Sequence, residues 1–198
     1  MTIVQIGCHN GKDHVNEFVL ENKERIDWVY LIDANEDNRS SVVENYAGIP
    51  KTFLNYALID SEGITTRLFL PANGTCTDHA SLLKDHLHNH DHKELKEVIV
   101  PAININELLE LFHDNPIDRL YIDIEGMDVP VMLSLDLSRW KIPYIRFEVL
   151  HAGGSHVRDS DDLQRLLERL DDHGYCIMEE GYDIIARKFT VPTAKKKK

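Results

Sequence analysis

The chain has 198 residues, 42% hydrophobic and 28% charged, with 34 acidic against 22 basic side chains and a net charge of -12. This composition fits one folded domain with a full core and excludes collagenous or broadly disordered chains; it also excludes a surface that coats nucleic acid, which needs clustered Lys and Arg. No run approaches the roughly 18 apolar residues of a bilayer span, residues 2–7 lead into a turn rather than a cleavage site, and Cys8, Cys76 and Cys176 form no C-x-x-C pair, so a cytoplasmic protein with reduced thiols is expected.

Apolar runs alternate with amphipathic stretches from residue 3 onward. The pattern predicts strands at 3–6, 28–32, 52–58, 119–124 and 144–150, and helices at 15–20, 36–46, 105–112, 129–137 and 163–170. Strands joined by crossover helices pair in parallel, with helices on both faces. The expected fold is therefore α/β: a Rossmann-like, doubly wound, mostly parallel sheet. Its end differs, because 175–178 and 183–189 are joined only by 179–182, too short for a crossover, and read as an antiparallel hairpin.

The interval 61–98 breaks the rhythm. A strand-like 65–70 and a turn-prone 71–74 precede a polar tract with His79, His86, His88, His90 and His92, whose alternation from His86 suits an extended chain. It reads as an insertion over the site. Such a tract can bind metal, but a solvated cover is the simpler reading. Residues 1–191 then form a single domain, and 192–198 a disordered basic tail.

In an open parallel sheet, ligands bind beyond the carboxyl ends of the strands, where strand order reverses. The first strand ends in Gln5, Ile6, Gly7, Cys8, His9, Asn10, Gly11, and the second in Asp33, Ala34, Asn35. Glycines permit a tight turn and close ligand approach, and an acid a little over 20 residues later suits a ribose hydroxyl pair, which together indicate an adenosine ligand. A dinucleotide site would carry a middle glycine so that bare backbone reaches the pyrophosphate; here Cys8, His9 and Asn10 fill the interval. S-adenosylmethionine has no phosphate and is the favoured cofactor. Asp33 could alternatively cap a helix starting near Glu36.

Several of these segments, in this order, resemble the FkbM-type methyltransferases. The resemblance is carried by residues 4–11, 29–35, 55–58, 98–108, 117–126 and 145–149, and most specifically by the strand that ends in Asp123, Ile124, Glu125, Gly126. It implies a class I methyltransferase fold of seven strands with the last antiparallel. It also implies transfer of a methyl group from S-adenosylmethionine to an oxygen of a small-molecule, sugar, glycan-like or lipid-like acceptor, with Ala57 and Leu58 beside the cofactor. Gln5 stands where the family usually has an acid, and Asp33 where it often has glutamate. With little chain before the first strand, any substrate cover is expected to come from the 61–98 interval.

Methyl transfer to oxygen needs in-line positioning and a base for the acceptor proton. Asp123 at a strand end is expected to border the methyl donor, with Glu125, Glu148 and His151 converging on the same cleft and Glu125 or His151 as the base. A divalent cation held by this group is a further possibility, although no metal site is assigned. Two rivals use the same residues: a metal-dependent glycosyltransferase built on Asp123-x-Glu125, and a non-catalytic binding module of the same fold.

Overall fold

A computed structural model describes residues 1–72, 80–89, 92, 94–150 and 160–188. Its strands are β1 (Thr2–Ile6), β2 (Trp28–Asp33), β3 (Lys51–Asn55), β4 (Ala57–Ile59), β5 (Thr65–Pro71), β6 (Leu95–Asn104), β7 (Arg119–Ile122), β8 (Tyr144–Glu148), β9 (Cys176–Glu180) and β10 (Asp183–Arg187). The α-helices are α1 (His14–Glu21), α2 (Arg39–Asn45), α3 (Lys84–Asn89), α4 (Ile105–Glu110), α5 (Asp128–Ser134) and α6 (Asp161–Asp172).

Seven strands form one sheet in the order β3-β2-β1-β7-β8-β10-β9. Neighbours from β3 to β8 are parallel, and β10 runs antiparallel to both β8 and β9, so the expected closing hairpin is present. The period-two alternation of β1 distributes its side chains between two cores. Val4 and Ile6 pack with α4, α5 and α6 through Leu108, Met132 and Leu166, while Ile3 joins Val15, Val19 and Val42 of α1 and α2 on the opposite face. Helices α1, α4 and α6 start where a side chain accepts from a free N–H group. Asp13 accepts from Val15 N and Asn16 N, and Ser160 accepts from Leu163 N, ahead of the buried stripe Leu163, Leu166, Leu170.

Two predicted elements change form. The single strand expected at 52–58 divides at Tyr56: β3 stays in the main sheet, whereas β4 pairs with β6 in a second sheet of order β4-β6-β5. The break has a polar cause, since the Asn55 amide donates to both Asp33 O and Ala34 O and ties the end of β3 to the loop after β2. The helix expected at 36–46 begins as a 3-10 turn, Glu36–Asn38, before α2.

The 61–98 interval contains β5, α3 and the start of β6, so it is not the extended histidine tract expected. His86 and His88 lie in α3, because Leu83 and Leu87 are four apart and a helical turn is what brings Leu87 into the interior. His86 is itself buried, contrary to a solvated reading. His79, His90 and Cys76, together with the 192–198 tail, lie outside the described residues.

The tightest backbone approach in the sheet is at Gly7. Its φ is +78°, and a Cβ added there would sit 1.6 Å from Asp123 O. Gly48 also has a φ of +78° but nothing within 4 Å of an added Cβ. Gly7→Ala is therefore expected to lose more than about 3 kcal/mol in chemical denaturation, while Gly48→Ala loses only the left-handed penalty of about 1–2 kcal/mol.

Candidate functional site

The cleft lies beyond the carboxyl ends of β2, β1 and β7, where strand order reverses, and has a volume of about 220 Å³. Its floor is the turn after β1. Gly7 N and Cys8 N both donate to Ile32 O, at 2.8 and 3.2 Å, and Gly11 N closes the turn on Cys8 O at 2.8 Å. His9 adopts a left-handed φ of 43°, which turns its N–H onto Asp33 Oδ2 at 2.7 Å. The other Asp33 oxygen accepts from Asn35 N and the Asn38 amide. Burial raises Asp33 above the usual carboxylate range, and these hydrogen bonds oppose the shift without cancelling it.

Gln5 acts beneath the turn. It is buried, donates to Asp13 Oδ2 at 2.6 Å, and accepts from Tyr46 OH at 2.8 Å. Asp13 is thereby fixed at both oxygens, one capping α1 and one on Gln5, while its side chain borders the cleft. The amide in place of the family's acid bonds to an acid on the adjacent helix cap. An acid at both positions would put two carboxylates in contact.

On the other side, Asp123 opens to the cleft from a concave floor with protein on its remaining sides. That burial raises its pKa well above the usual value, and the nearby Asp128 and Glu125 raise it further. Asp128, fully buried under the turn, accepts from Ile124 N and Gly126 N and is pushed up to about 7, chiefly by burial. Glu125 is held at a left-handed φ of 52°, a conformation that non-glycine residues adopt mostly where the surroundings impose it. Glu148, at the end of β8, is raised to about 9 by burial and then by Asp123 and Asp128.

Of the expected cofactor residues, Gly7, His9, Asn10, Asp33, Ala34, Ala57, Leu58 and Asp123 line the cleft together with Glu125. Cys8 points instead into the core beside Ile3 and Val15, where burial raises its thiol pKa. Gly11 packs against Tyr46, and Asn35 is buried as the cap of the 3-10 turn. Gln5 and Glu148 stand behind the cleft wall, and His151 lies outside the described residues. The sequence reading passed over Asp13, Asp128 and Ser81, and took His86 only as one of a histidine tract. Asp13 carries a cap signal, an acid just ahead of an amphipathic helix, whereas the other three are united only by tertiary contacts. Among the described residues, no group of three or more His, Cys, Asp or Glu is placed to hold a metal ion, and no helix is long and apolar enough to cross a membrane.

A family model for the methyltransferase FkbM domain matches residues 5–177. The chain belongs to the FkbM methyltransferase family. Its fold resembles a methyltransferase FkbM from Methylobacillus flagellatus KT, with a TM-score of 0.54 and 13% identity over 94% of this chain and 43% of that one. It also resembles a substituted form of Spodoptera frugiperda DNMT2, with a TM-score of 0.51 and 11% identity over 100% of this chain and 53% of that one. The chain thus spans about half the length of these solved relatives. Comparison with curated proteins gives no match. Family and fold agree on the class I methyltransferase architecture.

The raised carboxyls give a signed pH dependence. Between the ordinary carboxylate range and about 7 for Asp128 or about 9 for Glu148, the native state keeps protons that the unfolded chain has released. Stability must then fall as pH rises through that window. The melting temperature of the ligand-free protein is expected to drop between about pH 5.5 and about pH 9, and Asp128→Asn to flatten the part below about pH 7. A flat wild-type profile in thermal scans would contradict the assignment.

Proposed function

We propose that this FkbM-family chain transfers a methyl group from S-adenosylmethionine to an oxygen of a small-molecule, sugar or lipid-like acceptor. The observation that carries this reading is the charge of the cleft: among the described residues Asp13, Asp33, Asp123 and Glu125 border it, against Lys12 as the lining residue with a fixed positive charge. A dinucleotide pyrophosphate would be repelled there, whereas a ligand with an ammonium and a sulfonium is matched. The fit extends to shape, because Gly7 admits close backbone approach and Ala34, Ala57 and Leu58 offer an apolar wall beside Asp33.

In this reading Asp33 accepts from the ribose hydroxyls with the oxygen lone pairs its own loop leaves over. Ala34, Ala57 and Leu58 flank the adenine, and Asp13 and Asp123 face the ammonium end. Bound there, S-adenosylmethionine supplies an activated methyl group on a cationic sulfur. A cation beside Asp123 offsets the burial and the like-charge repulsion that raise its pKa. Glu125 borders the cleft and is the residue placed to take the acceptor proton. Glu148, raised to about 9, keeps its own proton at neutral pH and is better suited to donating a hydrogen bond. His151 remains the alternative base.

Thermal stabilisation and calorimetry test the cofactor claim. S-adenosylmethionine is expected to stabilise the protein, to bind more tightly as pH rises because the raised Asp33 and Asp123 carboxyls ionise, and to bind about tenfold more weakly to Asp33→Asn. Stabilisation by a sugar nucleotide with manganese, and not by S-adenosylmethionine, would sink the reading. Transfer of labelled methyl to a panel of hydroxylated compounds then tests the O-directed part. Cofactor binding with no turnover on any acceptor would favour the non-catalytic module.

A further inference from the structure

The segment that precedes and includes α3 attaches to the catalytic turn at one residue, and it does so twice. Ser81, buried and bridged to Phe69 of β5, donates its hydroxyl to Glu125 O at 2.8 Å. From the next helical turn His86, with its side chain 1% exposed, places Nε2 2.9 Å from Glu125 Oε2. Both the backbone and the carboxylate of Glu125 are therefore held by the same stretch of chain, at the position where the left-handed φ of 52° already fixes the backbone. Glu125 borders the cleft and His86 stands behind it. A buried imidazole within hydrogen-bonding distance of a carboxylate that borders the cleft is the arrangement in which a third group orients a base.

We infer that His86 is the positioning residue of the Glu125 base, its Nε2–H set against Oε2 so that the carboxylate is aimed into the cleft. The inference rests on the methyl-transfer reading above and adds to it the partner of the base. In the balanced step, the acceptor oxygen forms its bond to the methyl carbon as the carbon–sulfur bond breaks and its electron pair stays on sulfur. The hydroxyl proton passes to the other oxygen of Glu125 while His86 keeps its own, and solvent takes that proton up once the product leaves. Among the described residues, Asp123 on the strand end, Asp128 on α5 and Glu148 on β8 each feel the charge of Glu125.

The test uses the full chain, S-adenosylmethionine, and the first hydroxyl compound methylated in the acceptor panel. His86→Gln and His86→Ala are expected to bind S-adenosylmethionine within about twofold of wild type while kcat falls at least about tenfold. In both variants the acid limb of the rate profile should move to higher pH, because the carboxylate loses the imidazole N–H set against it. Added imidazole should restore part of the His86→Ala rate. His88→Gln, on the exposed side of the same helix, should behave as wild type. A merely structural role for His86 would lower folding or cofactor binding without displacing the pH limb. Wild-type kcat and pH profile in His86→Gln would overturn the inference and leave the methyl-transfer reading intact. If wild type methylates no hydroxyl compound, the O-directed reading fails and the inference falls with it.

Discussion

The site depends on one close backbone contact, Gly7 lying against the carbonyl of Asp123. Both residues follow central strands, and Asp123 N donates to Ile6 O at 3.0 Å, so the ladder between β1 and β7 continues up to the cleft floor. With a Cβ at residue 7 the two strand ends would be forced apart. The Gly7 turn and the Asp123 turn, nearly 120 residues distant in sequence, thereby become one surface. Everything that faces the ligand is arranged around that contact: the Gly7 turn bonds to Ile32 O and Asp33, and the Asp123 turn is held from below by Asp128.

A floor built this way concentrates negative charge where solvent is thin. Asp33, Asp123, Asp128 and Glu148 are all raised by burial first, and each of the last three is raised further by its acidic neighbours. Such a site is least comfortable empty and fully ionised. The same property that lowers stability at alkaline pH favours a cationic ligand, so destabilisation and cofactor selectivity share one electrostatic origin. Gln5 fits this logic, since an amide under Asp13 supports the acid without adding another charge.

The second sheet, β4-β6-β5, supplies what the main sheet lacks, a wall over the cleft. Leu68 from β5 and Ala57 from β4 pack together in a small apolar cluster with Val100, and Ala80 and Leu82 lie against it. This packing delivers Ser81 and His86 to Glu125. The wall over the cleft and the placement of Glu125 are thus consequences of the same local fold, which meets Glu125 at its backbone carbonyl and at its carboxylate.

The alternation of apolar and amphipathic segments made the layered α/β fold legible, because period-two and helical spacing report directly which faces must be buried. The glycine turn, the acid after the second strand and the Asp123 to Gly126 strand end were legible for a similar reason: each is a local conformation with a residue type that it requires. Long-range packing was not. Nothing in the run from His86 to His92 distinguishes the buried His86 from the exposed His88, and helix or extended chain was decided by whether Leu87 had a core to enter. Cys8, inside the turn, could face ligand or core, and the left-handed Gly7 before it sends it onto the core of Ile3 rather than the face of Val4 and Ile6. The sequence by itself determined the strand and helix order, the acidic cofactor turn and the family. Only the tertiary structure decided which turn residues reach the cleft, which carboxyls share one burial, and that a histidine some 40 residues upstream meets Glu125, because those outcomes depend on distances that chain order does not encode.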